Sequence, residues 1–255
     1  MVLFLFLSHL GLGIIFTLAL VSREAGVKFF RFNAGLAAIL IAVALAFRPA
    51  GDNPLVFDGL LVAEGAVVLY WATVGRTLAS IRPGIVGLAI VVGLATLVIQ
   101  ALGFSGGRAL PMQVLTAASF LSSAALLGGA CTAMILGHWY LVIPSLQVRH
   151  LQSIVKLHIA SMVIRVVVVV AAVFGGIALW QPGFRHYILS IDGIFFWQRV
   201  LFGLFGPALL SYLTWETAKI QSTQSATGIL YVDFFTVVVG EVLAKYLLLA
   251  TRVPV

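Results

Sequence analysis

Residues 214–233, TWETAKIQSTQSATGILYVD, form a polar joint between two long apolar runs, and the reading of this joint decides the fold. Glu216 and Lys219 are three apart, so on a helix they share a face and can pair. Gln221, Ser222, Thr223, Gln224, Ser225 and Thr227 then place six polar side chains in seven positions. The apolar pattern resumes at Gly228, yet Asp233 falls inside it. A polar joint between two runs that can each cross a bilayer is a turn at a membrane surface. This one holds more donors and acceptors than a plain connection needs. It is predicted to be one wall of a polar site facing a second polar stretch, residues 137–158.

Composition agrees with a membrane reading. Hydrophobic residues make up 62% of the chain and charged residues 9%, with a mean hydropathy of +1.16. Soluble domains run about half apolar and about a quarter charged, so the class implied is a polytopic membrane protein. The net charge of +7 comes from basic residues scattered singly over short connections. That is the pattern of orientation signals and lipid headgroup contacts, with no nucleic acid partner implied. Cys131 is the sole cysteine, which excludes an intrachain disulfide. The first run, residues 2–21, lacks a basic start and reads as a retained membrane helix.

A crossing helix needs roughly 20 apolar residues. On that ruler the chain divides into eight segments, approximately 2–21, 33–47, 58–75, 84–104, 113–143, 151–180, 194–218 and 227–250. The expected fold is an all-α integral membrane protein, a bundle of about eight transmembrane helices in one domain over 1–255. Its expected location is a prokaryotic inner (cytoplasmic) membrane, in contact with lipid. The odd face is the one holding the first, third, fifth and seventh connections. It carries Arg23, Lys28, Arg31, Arg76, Arg82, Arg149, Lys156 and Lys219, against Arg48, Arg108, Arg185, Arg199, Lys245 and Arg252 opposite. The excess favours the odd face as cytoplasmic. In the fifth segment Ser122, Ala125, Gly128, Gly129 and Ala133 form a small-residue stripe, which predicts a central helix.

Ionisable groups inside membrane helices are expensive and default to functional hypotheses. Here they are His9, Glu64, His138, His158, Arg165, Glu216, Asp233, Glu241 and Lys245. His9 reads as a hydrogen-bonded packing residue, Glu64 as structural, and Glu241 with Lys245, four apart, as a local pair. His138 precedes Pro144 by six residues and His158 follows His150 by eight. Across a short turn, both would lie about 9–12 Å below the odd face at 1.5 Å per residue. Matched depth on neighbouring helices is what an axial imidazole pair for haem b requires, so His138 and His158 are the candidate metal ligands. A quinone headgroup would need similar placement, and a purely structural role for both histidines stays open. Arg165, seven residues after His158, would pair with a haem propionate or with Glu216 or Asp233 nearer the odd face, or with Glu64 or Glu241 toward the other, Asp233 or a propionate being favoured.

Two short stretches add a resemblance. Residues 202–207, FGLFGP, and 239–247, VGEVLAKYL, look like the ends of the eight-helix membrane anchor subunits of dimethyl sulfoxide and polysulfide reductases. In those subunits a Gly-Glu pair with a basic residue a turn later falls in the last helix. The resemblance implies exchange of electrons and protons with quinone, beside other subunits of a membrane complex. It covers about a fifth of the chain and carries no catalytic residue across. The leading expectation is therefore a quinone-interacting, haem b-binding subunit of a respiratory or photosynthetic complex. Its site would be drawn from His138, His158, Arg165, Glu216, Lys219 and Asp233. A small-solute or ion transporter using the same buried charges is the first alternative, and a ligand-free structural subunit the second.

Overall fold

The computed structural model describes residues 1–51, 53–76, 79–143, 148–177 and 182–255, and among these the regular elements are all helical. The crossings are α1 (Val2–Leu18), α2 (Gly26–Ala46), α3 (Pro54–Thr73), α4 (Arg82–Ser105), α5 (Leu110–Val142) and α6 (Val148–Gly175). A short helix, α7 (Pro182–Leu189), follows on the face opposite the odd one. The next crossing is broken: α8 (Ile194–Val200), a π turn (Leu201–Phe205) and α9 (Gly206–Lys219). The last is α10 (Thr223–Thr251). Seven of these units are long and apolar enough to span a membrane, and the 17-residue α1 is the shorter eighth.

Local chemistry sets where the helices begin. Asn53 accepts from the Leu55 amide at 3.0 Å with Pro54 in the first turn, a capped start with a preset φ. Proline also opens α4, α5 and α9. Within the spans, hydroxyls turn back onto their own helix: Thr96 donates to the Val92 carbonyl and Thr116 to that of Met112, each at 2.7 Å. Such bonds satisfy a polar side chain where no water is at hand.

The predicted central helix is α5. In its most apolar window 83% of residues are buried, against 28–39% for the other six long spans. Its glycines give each neighbour close access. Gly128 meets Gly13 of α1 so tightly that a Cβ on Gly128 would run into the Gly13 backbone, and one on Gly13 into the Ala124 carbonyl of α5. Gly129 lies beside His158 of α6, and the Gly137 carbonyl accepts from Thr227 of α10 at 2.9 Å. Thr17 and Thr132 close the α1–α5 contact with a 2.7 Å hydroxyl pair. Large apolar side chains such as Ile39, Val91, Val167 and Phe235 point outward, as lipid contact requires.

The sixth predicted segment ran to residue 180, whereas α6 ends at Gly175; residues 178–180 lie outside the described residues. The predicted turn at 144–150 lies partly outside them too, at 144–147. The ends flanking it share a face with the 219–226 joint, as expected. Gln152 near the start of α6 donates to the Ala218 carbonyl at the end of α9, 3.2 Å away.

Candidate functional site

The interior of the bundle is organised around one carboxylate. Glu241 of α10 is fully buried and receives two guanidinium groups and a hydroxyl. Arg165 of α6 grips it with two bonds, Nε to Oε1 at 2.9 Å and Nη2 to Oε2 at 3.1 Å. Arg199 of α8 donates Nη2 to Oε1 at 2.9 Å. Ser123 of α5 donates to Oε2 at 2.6 Å. Lys245, one turn on in α10, is 3.4 Å from Oε2 and donates to Ser123 Oγ at 2.5 Å. Arg165 also uses Nη1 on the Ser119 carbonyl and hydroxyl, at 3.1 and 2.8 Å. Three cations thus share a single carboxylate out of reach of water.

The same serine leads outward. His9 of α1 sets Nδ1 3.2 Å from Ser123 Oγ and Nε2 3.2 Å from Gln100 Oε1 of α4. Gln100 lines a cavity of about 390 Å³ on the face opposite the odd one, together with Met1, Asn53 and Phe104. Because Gln100 Oε1 can only accept, His9 Nε2 carries a proton. Ser123 has one hydroxyl proton and two acceptors for it, Glu241 and a neutral His9. If the proton points to Glu241, His9 must be protonated at both nitrogens; if it points to His9, the imidazole stays neutral. The two arrangements differ by rotation of that hydroxyl and by one proton on His9 Nδ1.

A second buried pair lies toward the odd face. His158 Nε2 and Asp233 Oδ2 are 2.6 Å apart and both side chains are fully buried. The atoms are close but out of line for a hydrogen bond. Asp233 Oδ1 and His158 Nδ1 find no hydrogen-bond partner among the described residues either. The geometry is two-tiered. His158 and Asp233 each stand ten residues into α6 and α10, Arg165 and Glu241 seventeen and eighteen. At 1.5 Å per residue the tiers lie about 15 Å and about 26 Å along two helices that both start at the odd face.

Several expectations change. Arg165 pairs with Glu241, not with Asp233, Glu216 or a propionate, because Asp233 stands two turns nearer the odd face, level with His158. His138 is exposed on α5, hydrogen bonded through Nδ1 to the Tyr231 hydroxyl at 3.0 Å. It lies four residues from the end of α5, and the α5 residue beside His158 is Gly129, nine residues away. The two imidazoles differ in depth by about 14 Å at 1.5 Å per residue, so they do not form the axial pair expected for haem b. Glu216 and Lys219 do pair, at 2.7 Å, but as a partly exposed surface couple remote from the Glu241 cluster. The polar side chains of the 219–226 joint are used locally, Ser222 bonding Ser225 at 2.9 Å and Thr227 bonding the Thr223 carbonyl at 2.7 Å. The 137–158 stretch does face this joint, through Gly137–Thr227 and His138–Tyr231.

Arg199 was assigned to the connection opposite the odd face and belongs to the core. Its position five residues inside the seventh apolar run was the available signal. The π turn and the contact of Gly203 with Gly240 bring it inward, since a Cβ at Gly203 would collide with both the Arg199 guanidinium and Gly240. With Arg199 and Lys245 buried, the unburied basic residues of the two faces number eight on the odd face and four opposite: Arg48, Arg108, Arg185 and Arg252.

Fold and site together define a class: a polytopic helical membrane protein with a shared-carboxylate charge cluster in its core. Comparison with known protein families, curated proteins and solved structures returns no match to this chain.

Proposed function

We propose that this protein is an ion-translocating membrane protein that carries protons through the helix bundle. The observation that supports this most directly is the Ser123 hydroxyl, placed between His9 and Glu241 with one proton for two acceptors. The relay runs from the Gln100 cavity through His9 and Ser123 to Glu241 and Lys245, in steps of 2.5–3.4 Å. The His158–Asp233 pair stands on the same two helices, about 11 Å nearer the odd face. Arg165 and Arg199 hold Glu241 in place through their ion pairs with its carboxylate. The surface count of basic residues favours the odd face as cytoplasmic, in a prokaryotic inner membrane. Purified protein in liposomes carrying an internal pH dye, under a potassium-valinomycin potential, tests the reading. Ser123→Ala and His9→Gln should each slow proton flux by about two orders of magnitude, the usual weight of a positioned proton donor. Equal flux in wild type and both variants would sink the relay.

A quinone-interacting subunit of an electron-transfer complex, working with partner subunits, is the second reading. A cavity of about 460 Å³ at the odd face favours it, lined by apolar side chains from α1 to α4 with Arg23, Tyr70 and Arg82 among them. That lining suits a ring with polar oxygens on an apolar tail. Quinone extracted in stoichiometric amount from purified protein, and lost on Val86→Trp, would support this reading. Quinone-free protein that binds none on addition removes it.

A further inference from the structure

We infer that the core of the bundle binds a small monovalent anion, of the halide or nitrate class, against the free edge of Arg199 between α6, α8 and α10. The inference stands on the charge cluster and does not depend on the proton relay. Arg165, Arg199 and Lys245 face one carboxylate, Glu241, leaving an excess of two positive charges when all are ionised. Loss of a proton from Lys245 still leaves one, because a guanidinium does not give up its proton in a protein. The next carboxylate along α10 is Asp233, eight residues away, and it faces His158. An uncompensated charge of this kind is not tolerated deep in a membrane protein without a counter-ion.

The donors point to where that ion sits. Arg199 spends Nη2 on Glu241, while its Nε and Nη1 are buried and find no hydrogen-bond partner among the described residues. The whole side chain is shielded, at 0% exposure. Two unsatisfied N–H groups on one cation are an anion's natural ligands. Size is limited by the surroundings, since Gly203 and Gly240 pack directly against this guanidinium. Such close packing favours a monatomic or small planar anion over a phosphate or a metabolite carboxylate on a carbon chain.

The test uses the intact purified protein in gluconate buffer, titrated with sodium chloride or bromide at constant ionic strength. Thermal unfolding should rise saturably by roughly 2–5 °C, the shift expected when a ligand binds only the folded state. Arg199→Gln should abolish the rise. Because that variant removes a bond to Glu241, crystals of the wild-type protein soaked in bromide give an independent reading. An anomalous peak within hydrogen-bonding distance of Arg199 Nε or Nη1 supports the site. A melting temperature indifferent to halide, a rise retained in Arg199→Gln, or bromide found only on the surface overturns it. Proton flux enters none of these readouts, so the relay and the anion site can fail separately.

Discussion

Glu241 is the residue that makes the interior tolerable, because three cations and a hydroxyl converge on its two oxygens. Glu241→Gln keeps the shape and removes the charge, leaving Arg165, Arg199 and Lys245 to repel one another. Breaking a buried pair from one side costs about 3–5 kcal/mol, so this variant should lose at least that in reversible detergent unfolding. Adding Arg199→Gln to it should cost less than the two single changes summed, since the second removes a charge the first left unpaired. A fully additive pair would mean that Arg199 and Glu241 do not interact. Part of this residue-scale picture was legible in the sequence: Arg165 in mid-span must find a partner, and Glu241 with Lys245 are four apart. The choice of partner was not, because it depends on how deep two helices sit relative to each other. Neither was Arg199, whose place near the start of an apolar run mimics a headgroup contact.

Among the elements, α5 and the broken α8–α9 crossing do the positioning. Gly13 and Gly128 let α1 lie against α5 closely enough for His9 to reach Ser123. Gly13→Leu must therefore push α1 outward. Overpacking of this kind costs about 1–3 kcal/mol, and the same displacement should break the His9 contact and lower proton flux with it. Gly65→Ala on α3 is the control, since nothing lies within 4 Å of the added Cβ. It should leave stability unchanged or raised by about 0.4–1 kcal/mol, in line with reduced freedom of the unfolded chain. Equal losses in both variants would show that the α1–α5 contact is not special. The small-residue stripe announced α5 as central, because close helix packing in lipid needs such residues. The π turn at Leu201–Phe205 had no announcement, since one extra residue in a helical turn leaves the apolar count unchanged.

For the whole molecule, hydropathy carried the eight crossings and the odd and opposite faces. It did not reveal that the polar joint at 219–226 is a surface feature while the charge cluster lies deeper. Abundance of polar residues marks where water is, and buried function shows instead as single charges spread over distant segments. In a Cys131→Ala background, Arg76→Cys and Gln221→Cys should react with a membrane-impermeant maleimide from one side, and Gly51→Cys from the other. If the odd face is cytoplasmic, the first two stay silent in intact cells and react only after permeabilisation. Labelling of Arg76→Cys and Gln221→Cys from different sides contradicts the eight-crossing arrangement.

The two tiers between α6 and α10 have a mechanical consequence. Both helices leave the odd face in the same direction, and His158–Asp233 and Arg165–Glu241 engage them at nearly equal spacing, like two teeth of a rack meshed at once. Neither helix can slide past the other by one turn, about 5.4 Å, without releasing both teeth together. Motion along the membrane normal is thus all-or-none for this pair. On the proposed proton-relay reading, any smaller adjustment would fall to the crossing interrupted by its π turn, where Arg199 sits on α8, on the other side of that turn from α9.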